Sequence, residues 1–125
     1  MMNTQFNQNE QDILDSWQEV YLRGQLTFWI LLSISDCARY TDEIEIRISE
    51  LTNGSIQAET KSVYRALRRF HDIEIVDYEM RESERGPDRK YYFLTESGRK
   101  IVREFIKQNI DTFYKSKVKE IINNV

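Results

Sequence analysis

Thr60-Lys61-Ser62-Val63-Tyr64-Arg65-Ala66-Leu67-Arg68-Arg69-Phe70-His71-Asp72 is the stretch on which the fold turns, together with the Val76-Asp77-Tyr78-Glu79-Met80-Arg81 and Lys90-Tyr91-Tyr92-Phe93-Leu94 that follow it. Val63, Ala66, Leu67 and Phe70 recur at steps of three and four, so the first part predicts a helix over about 60–72 with one apolar face. The same helical wheel sets Lys61, Arg65 and Arg68 on the opposite face, with Tyr64 and Arg69 at its flanks. Val76, Tyr78 and Met80 alternate with Asp77, Glu79 and Arg81, the period of a half-buried strand. Ser83 to Asp88 is turn-prone, and the two strands it joins form a β-hairpin with a charged tip.

Upstream, Met1 to Gln8 reads as a polar, flexible start. A helix is predicted from about Asn9 to Leu22, capped by Asn9, with Ile13, Leu14, Trp17, Val20 and Tyr21 on one stripe and Gly24 at its end. Leu26 to Ser35 is apolar on nearly every side, which a helix tolerates only in the middle of a fold. Thr41 and Asp42 are cap candidates for a third helix carrying Ile44, Ile48 and Leu51, stopped by Asn53-Gly54. The alternation Ile44, Ile46, Ile48 also fits a strand, but Glu43, Glu45 and Glu50 favour the helix.

Downstream, Thr95 caps a last helix with no proline before Val125. Val102, Ile106, Ile110, Tyr114, Val118, Ile121 and Val125 are spaced by three or four along it. Unbroken, it would be about 40 Å long, more than the width of so small a domain, and part of its stripe would lie bare in a monomer. The stripe and the N-terminal helix therefore predict packing between two copies across a two-fold axis. The expected organisation is a flexible start (1–8), an N-terminal helix (9–23), a central domain (24–95) and a C-terminal dimerisation helix (96–125).

With 125 residues, 40% hydrophobic and 31% charged, the chain has apolar surface enough for one core. One proline and four glycines disfavour an all-β fold of many tight turns. No run of about 18 apolar residues is present and the N-terminus lacks a basic segment followed by an apolar one, so a soluble cytoplasmic protein without membrane association is expected. A lone Cys37 and a lone His71 predict neither an internal disulfide nor a zinc site, and neither metal nor cofactor is expected. Cys37 reads as a small buried hydrophobe or a redox sensor, His71 as a helix-end cation or a surface residue. The absence of a Gly-rich phosphate loop, nucleophile elbow or metal-ligand spacing argues against an enzyme.

The net charge of −3 on its face argues against a nucleic-acid partner, but it is unevenly spread. Residues 1–60 hold 3 basic and 10 acidic side chains, whereas 61–103 hold 11 and 8. Thr60 to His71 has four cations and no acid. Phosphate attraction is screened beyond about 8 Å at physiological salt, so this local field outweighs the total.

Helix, helix, basic helix, hairpin is the order of a winged helix-turn-helix, a mainly α fold with a small β-hairpin. Within it, three runs resemble the PadR-like family of transcriptional regulators. Val63-Tyr64-Arg65-Ala66-Leu67-Arg68-Arg69-Phe70 looks like that family's recognition helix, and Gly86-Pro87-Asp88-Arg89-Lys90-Tyr91-Tyr92 is similar to its wing. Leu94-Thr95-Glu96-Ser97-Gly98-Arg99 resembles the start of its dimerisation helix, and Glu43-Ile44 the end of a weaker element. The likeness covers roughly residues 25–105. Two departures stand out: Glu74 replaces a glycine between recognition helix and wing, and Thr41-Asp42 replaces a glycine-tyrosine pair.

The resemblance implies a homodimeric repressor on a pseudo-palindromic double-stranded DNA operator, with a ligand site at or near the dimer interface; a small aromatic effector is read from the tryptophans, which also fit plain core. The DNA-contacting residues expected are Lys61, Ser62, Tyr64, Arg65, Arg68 and Arg69 on the helix and Arg85, Arg89 and Lys90 on the wing. The expected dimer contacts are Trp17, Tyr21, Val102, Phe105, Ile106, Ile110, Phe113, Tyr114, Val118 and Ile121, and an effector pocket would use Trp17 and Trp29. The rival reading is a winged-helix protein-interaction module without a DNA target, for which the acidic N-terminal half speaks.

Overall fold

A computed structural model describes residues 5–125. The first helix, α1 (Gln8–Arg23), starts one residue before Asn9 because Asn7, two residues ahead of the expected cap, caps it instead. The Asn7 side chain accepts from Glu10 N–H at 2.8 Å while the Glu10 carboxylate accepts from Asn7 N–H at 2.9 Å, a reciprocal box that satisfies two otherwise open donors. No residue of α1 is buried. Of the expected flexible start, residues 1–4 lie outside the described residues, and Gln8 already belongs to the helix.

The central helix α2 (Gln25–Ser33) follows Gly24 directly and ends two residues earlier than its apolar run suggests. None of its apolar side chains is exposed, and Ile30, Leu31 and the adjoining Ile34 enter the core. Its open carbonyl end is taken up from outside: Arg39 donates to Ser33 O, and Arg99, 64 residues away, donates to Ser35 O at 2.8 Å. Cys37, in the turn that follows, is exposed, so it is not the buried hydrophobe its type suggests.

Helix α3 (Thr41–Leu51) resolves the strand ambiguity: Ile44 and Ile48 are fully buried while Ile46 is 59% exposed, a period of four rather than two. Its N-cap is Tyr40, not Thr41 or Asp42, and the Glu43 carboxylate accepts from Tyr40 N–H at 3.2 Å. Asn53 (φ 50°) and Gly54 (φ 77°) carry the chain out of the helix through left-handed backbone.

Helix α4 (Thr60–Asp72) buries Val63, Ala66, Leu67 and Phe70 as predicted. It ends in a Schellman turn in which Ile75 N–H reaches Phe70 O and Glu74 N–H reaches His71 O, both at 3.0 Å. Glu74 therefore stands at φ 63°, in the conformation a glycine adopts without cost. Strands β1 (Val76–Arg81) and β2 (Arg89–Leu94) pair antiparallel with Val76 opposite Leu94 and Arg81 opposite Arg89. Burial fades along β1, so that Val76 is core, Tyr78 half-buried and Met80 exposed. An unpredicted bridge adds a third pairing: Arg39 N–H donates to Tyr92 O at 3.0 Å and Tyr92 N–H to Arg39 O at 2.9 Å.

Helix α5 (Glu96–Asn109) is capped by Thr95, whose hydroxyl accepts from Gly98 N–H at 3.1 Å and donates to Glu74 O at 2.7 Å. Val102 completes the core. The single long C-terminal helix is not found. The chain instead breaks into a 3₁₀ turn, Asp111–Tyr114, and α6 (Ser116–Asn123). Asn109, Ile110, Asp111 and Thr112 are four successive poor helix formers, and the Asn109 amide turns back to donate to Phe105 O at 3.1 Å. Periodicity reported where the apolar residues fall and missed this local competition. No helix among the described residues is long and apolar enough to cross a membrane.

Candidate nucleic-acid interface

Burial of one side of α4 leaves Lys61, Tyr64, Arg65, Arg68 and Arg69 exposed on the other. Among the described residues none of these four cations lies within ion-pairing distance of a carboxylate. Elsewhere Arg23 is partly neutralised by Glu19, Arg39 by Asp36, Arg47 by Asp36 and Glu50, and Arg81 by Glu79, whereas Arg85, Arg89, Arg99 and Arg103 have no such partner among the described residues. Two contacts hold α4 against α3: Thr60 donates to the Glu45 carboxylate at 2.8 Å, and Thr41 donates to the Tyr64 hydroxyl at 3.2 Å. Ser62 sits differently, half-buried beside a shallow depression that Leu22, Leu26, Ile56 and Ala58 also line.

A cleft of about 610 Å³ separates α4 from the hairpin. Tyr64 and Arg68 line it from the helix, Arg89 and Lys90 from the wing, and Tyr40, Tyr78 and Tyr92 from its floor. Sequence reasoning placed Tyr78 and Tyr92 in the hairpin but missed Tyr40, because only the Arg39–Tyr92 bridge brings residue 40 beside the wing. It also missed Asp42 and Asp88, two acids on the rim that limit the cleft's positive potential. Arg85 lies at the exposed hairpin tip, outside the cleft. His71 packs against the Tyr78 ring at 5.0 Å with Nε2 3.5 Å from Asp77 Oδ1. Burial raises the Tyr92 phenol above its ordinary value.

The residues expected at a dimer seam divide in two. Val102 is buried within the single chain, Ile106 packs on the core from its edge, and Ile110 and Val118 are half-buried. Trp17 (68% exposed), Tyr21, Phe113, Tyr114 and Ile121 are open, and Phe105, although exposed, meets the Phe28 ring at 5.4 Å. Trp17 and Trp29 do not share the cleft: Trp29 is half-buried against Phe28, and its buried indole N–H has no partner among the described residues.

The family model of the transcriptional regulator PadR-like family matches residues 30–104. An uncharacterized protein of Lysinibacillus sphaericus is 32% identical over 102 residues, covering 82% of this chain and 88% of its own. The solved structure of a PadR-like transcriptional regulator from Bacillus cereus is 28% identical with a TM-score of 0.61, over 84% of this chain and 94% of that one. A Streptococcus transcriptional regulator is 30% identical with a TM-score of 0.62, over 81% and 95%. Bacillus subtilis PadR in complex with operator DNA shares the fold, with a TM-score of 0.60 at 18% identity over 65% of this chain and 46% of that one.

Proposed function

Since the chain belongs to the PadR-like family of transcriptional regulators, we propose that it is a homodimeric repressor whose α4 enters the major groove of a pseudo-palindromic operator. The observation that carries this reading is the face of α4 that presents Lys61, Arg65, Arg68 and Arg69 with no carboxylate partner among the described residues, beside a cleft edged by Arg89 and Lys90. Arginine in a major groove makes two hydrogen bonds to guanine, while lysine, tyrosine and the wing suit phosphates. A relative of the same fold has been solved with operator DNA, which supports the same use here.

Dimerisation is supported by α1, a 16-residue helix that buries no residue of its own. Isolated helices of that length are marginal in water, and its Ile13, Trp17, Val20 and Tyr21 are all more than half exposed. Its acids Asp12 and Asp15 complement Arg103, Lys107, Lys115 and Lys119 of the C-terminal segment, so a second copy offers both apolar cover and charge. An aromatic effector lodged in that seam would meet the exposed Trp17 ring, and would reach the indole N–H of Trp29 only where the side chains covering it move aside.

Gel shift with the DNA upstream of its own gene, across a salt series, tests the reading. Specific binding that weakens steeply with salt is expected. Absence of binding at low salt would leave a winged-helix module for protein contacts.

A further inference from the structure

Two cations of the wing are seated on aromatic rings. The Arg89 guanidinium lies 4.4 Å from the centroid of the Tyr40 ring, and Lys90 Nζ lies 4.6 Å from that of Tyr78. Both seats are themselves fixed. Tyr40 meets Tyr91 edge-on at 5.3 Å, its amide is held by Glu43, and the residue before it is bridged to β2. Tyr78 is wedged between His71 at 5.0 Å and Tyr92 at 5.6 Å. A third stack has a different electrical character. Arg81 lies 4.2 Å over Tyr91 but is neutralised by Glu79 at 2.5 Å, whereas Arg89 and Lys90 have no carboxylate partner among the described residues.

We propose that Tyr40 and Tyr78 are positioning residues of the wing, holding Arg89 and Lys90 in a phosphate-binding pose before DNA arrives. A hairpin tip would otherwise leave such long side chains free, and immobilising each one on binding costs affinity. A guanidinium held over a ring by its charge donates no hydrogen bond to the ring's neighbours, so the seat orders Arg89 without consuming its donors. Arg81, already paired, serves the hairpin rather than the ligand. The inference rests on the DNA-binding reading given above.

Wing contacts to phosphate are independent of sequence, so the test uses a random duplex of about 30 base pairs, followed by fluorescence anisotropy from low to moderate salt. Tyr40→Phe keeps the ring and should bind as the wild type does. Tyr40→Leu should weaken binding about two- to fivefold per protomer, with the salt dependence unchanged because no phosphate contact is lost. Arg89→Ala should lower the log-log salt slope by about one. In the Arg89→Ala background, Tyr40→Leu should cost nothing further, which a merely structural role of Tyr40 would not produce. Tyr78→Leu and Lys90→Ala form the parallel cycle. Undiminished or tighter binding by Tyr40→Leu, or a loss that persists without Arg89, overturns the inference while leaving DNA binding intact. Failure of the wild type to bind the duplex at low salt removes the DNA-binding reading and the inference with it.

Discussion

At the scale of single residues, the joint between α4, the hairpin and α5 concentrates the constraints. Gly98 is required by contact, since a Cβ there would run into the Ile75 carbonyl oxygen and lie 3.3 Å from Leu94 Cδ2. Gly98→Ala should cost about 3 kcal/mol in steric clash and recover only about 1 kcal/mol of helix propensity, a net loss near 2 kcal/mol measurable by urea unfolding. Glu74 is the converse case, a side chain held at φ 63° where glycine is better suited. Relief of about 1–2 kcal/mol of left-handed strain, less about 0.5–1 kcal/mol of backbone entropy, gives Glu74→Gly a gain of roughly 0.5–1 kcal/mol. A thermal midpoint that falls in this variant would show that the Glu74 side chain makes up the strain elsewhere. Asp36 makes a pH-dependent contribution: the hydrogen bond from Arg39 lowers its carboxyl to about 2 from 3.8. A carboxylate depressed in the folded state stabilises the fold above its ordinary value, and that contribution is lost as pH falls from about 4 to 2. Asp36 is half-exposed, so solvent screening keeps the effect small. The stability difference between the wild type and Asp36→Asn should shrink across this window, and a difference constant from pH 5 to 2 would refute the assignment.

At the scale of elements, legibility followed the source of each element's stability. Helix α4 could be read in full because Val63, Ala66, Leu67 and Phe70 both specify its period and meet the core. The hairpin was legible from alternation and its turn, and the exposed-positive, buried-apolar division of α4 follows from the same wheel. What escaped depends on partners distant in sequence or on competing local bonds: the Arg39–Tyr92 bridge, the cap of α2 by Arg99, and the break at Asn109 to Thr112. The place of Tyr40 in the floor of the cleft was illegible for the first of these reasons. The face of α4 supplies its own contrast. Arg65→Ala, at an exposed and unpaired position, should change stability by less than about 0.5 kcal/mol yet cost about 1–3 kcal/mol of operator affinity per half-site and relax one base preference. Leu67→Ala should instead destabilise the fold by roughly 2–5 kcal/mol, because it empties a fully buried site. Arg65→Ala unfolding the protein with operator affinity intact would mean that α4 reads DNA from another face.

At the scale of the whole molecule, the division between a finished core and an unfinished exterior decides what the proposed second copy would have to do. The core closes within one chain, since Ile30, Ile44, Ile48, Val63, Leu67 and Val102 are all buried without help. The exterior does not close, because α1, the 3₁₀ turn and α6 contain no buried residue between them. Contacts across a two-fold axis would therefore be separable from folding, which an unbroken helix sharing its stripe between core and seam would not allow. Light scattering of the intact protein at micromolar concentration should report about twice 15.1 kDa. Replacing both Trp17 and Tyr21 by arginine places charge in the proposed seam at positions 68% and 58% exposed in the single chain. That variant should sediment as a monomer whose far-ultraviolet circular dichroism falls by no more than the share of α1, and should bind a two-half-site operator far more weakly than the parent, because each half-site is then engaged alone. A double arginine variant that stays dimeric would place the two-fold contact elsewhere on the surface, and one that unfolds would show that α1 is needed for the core after all.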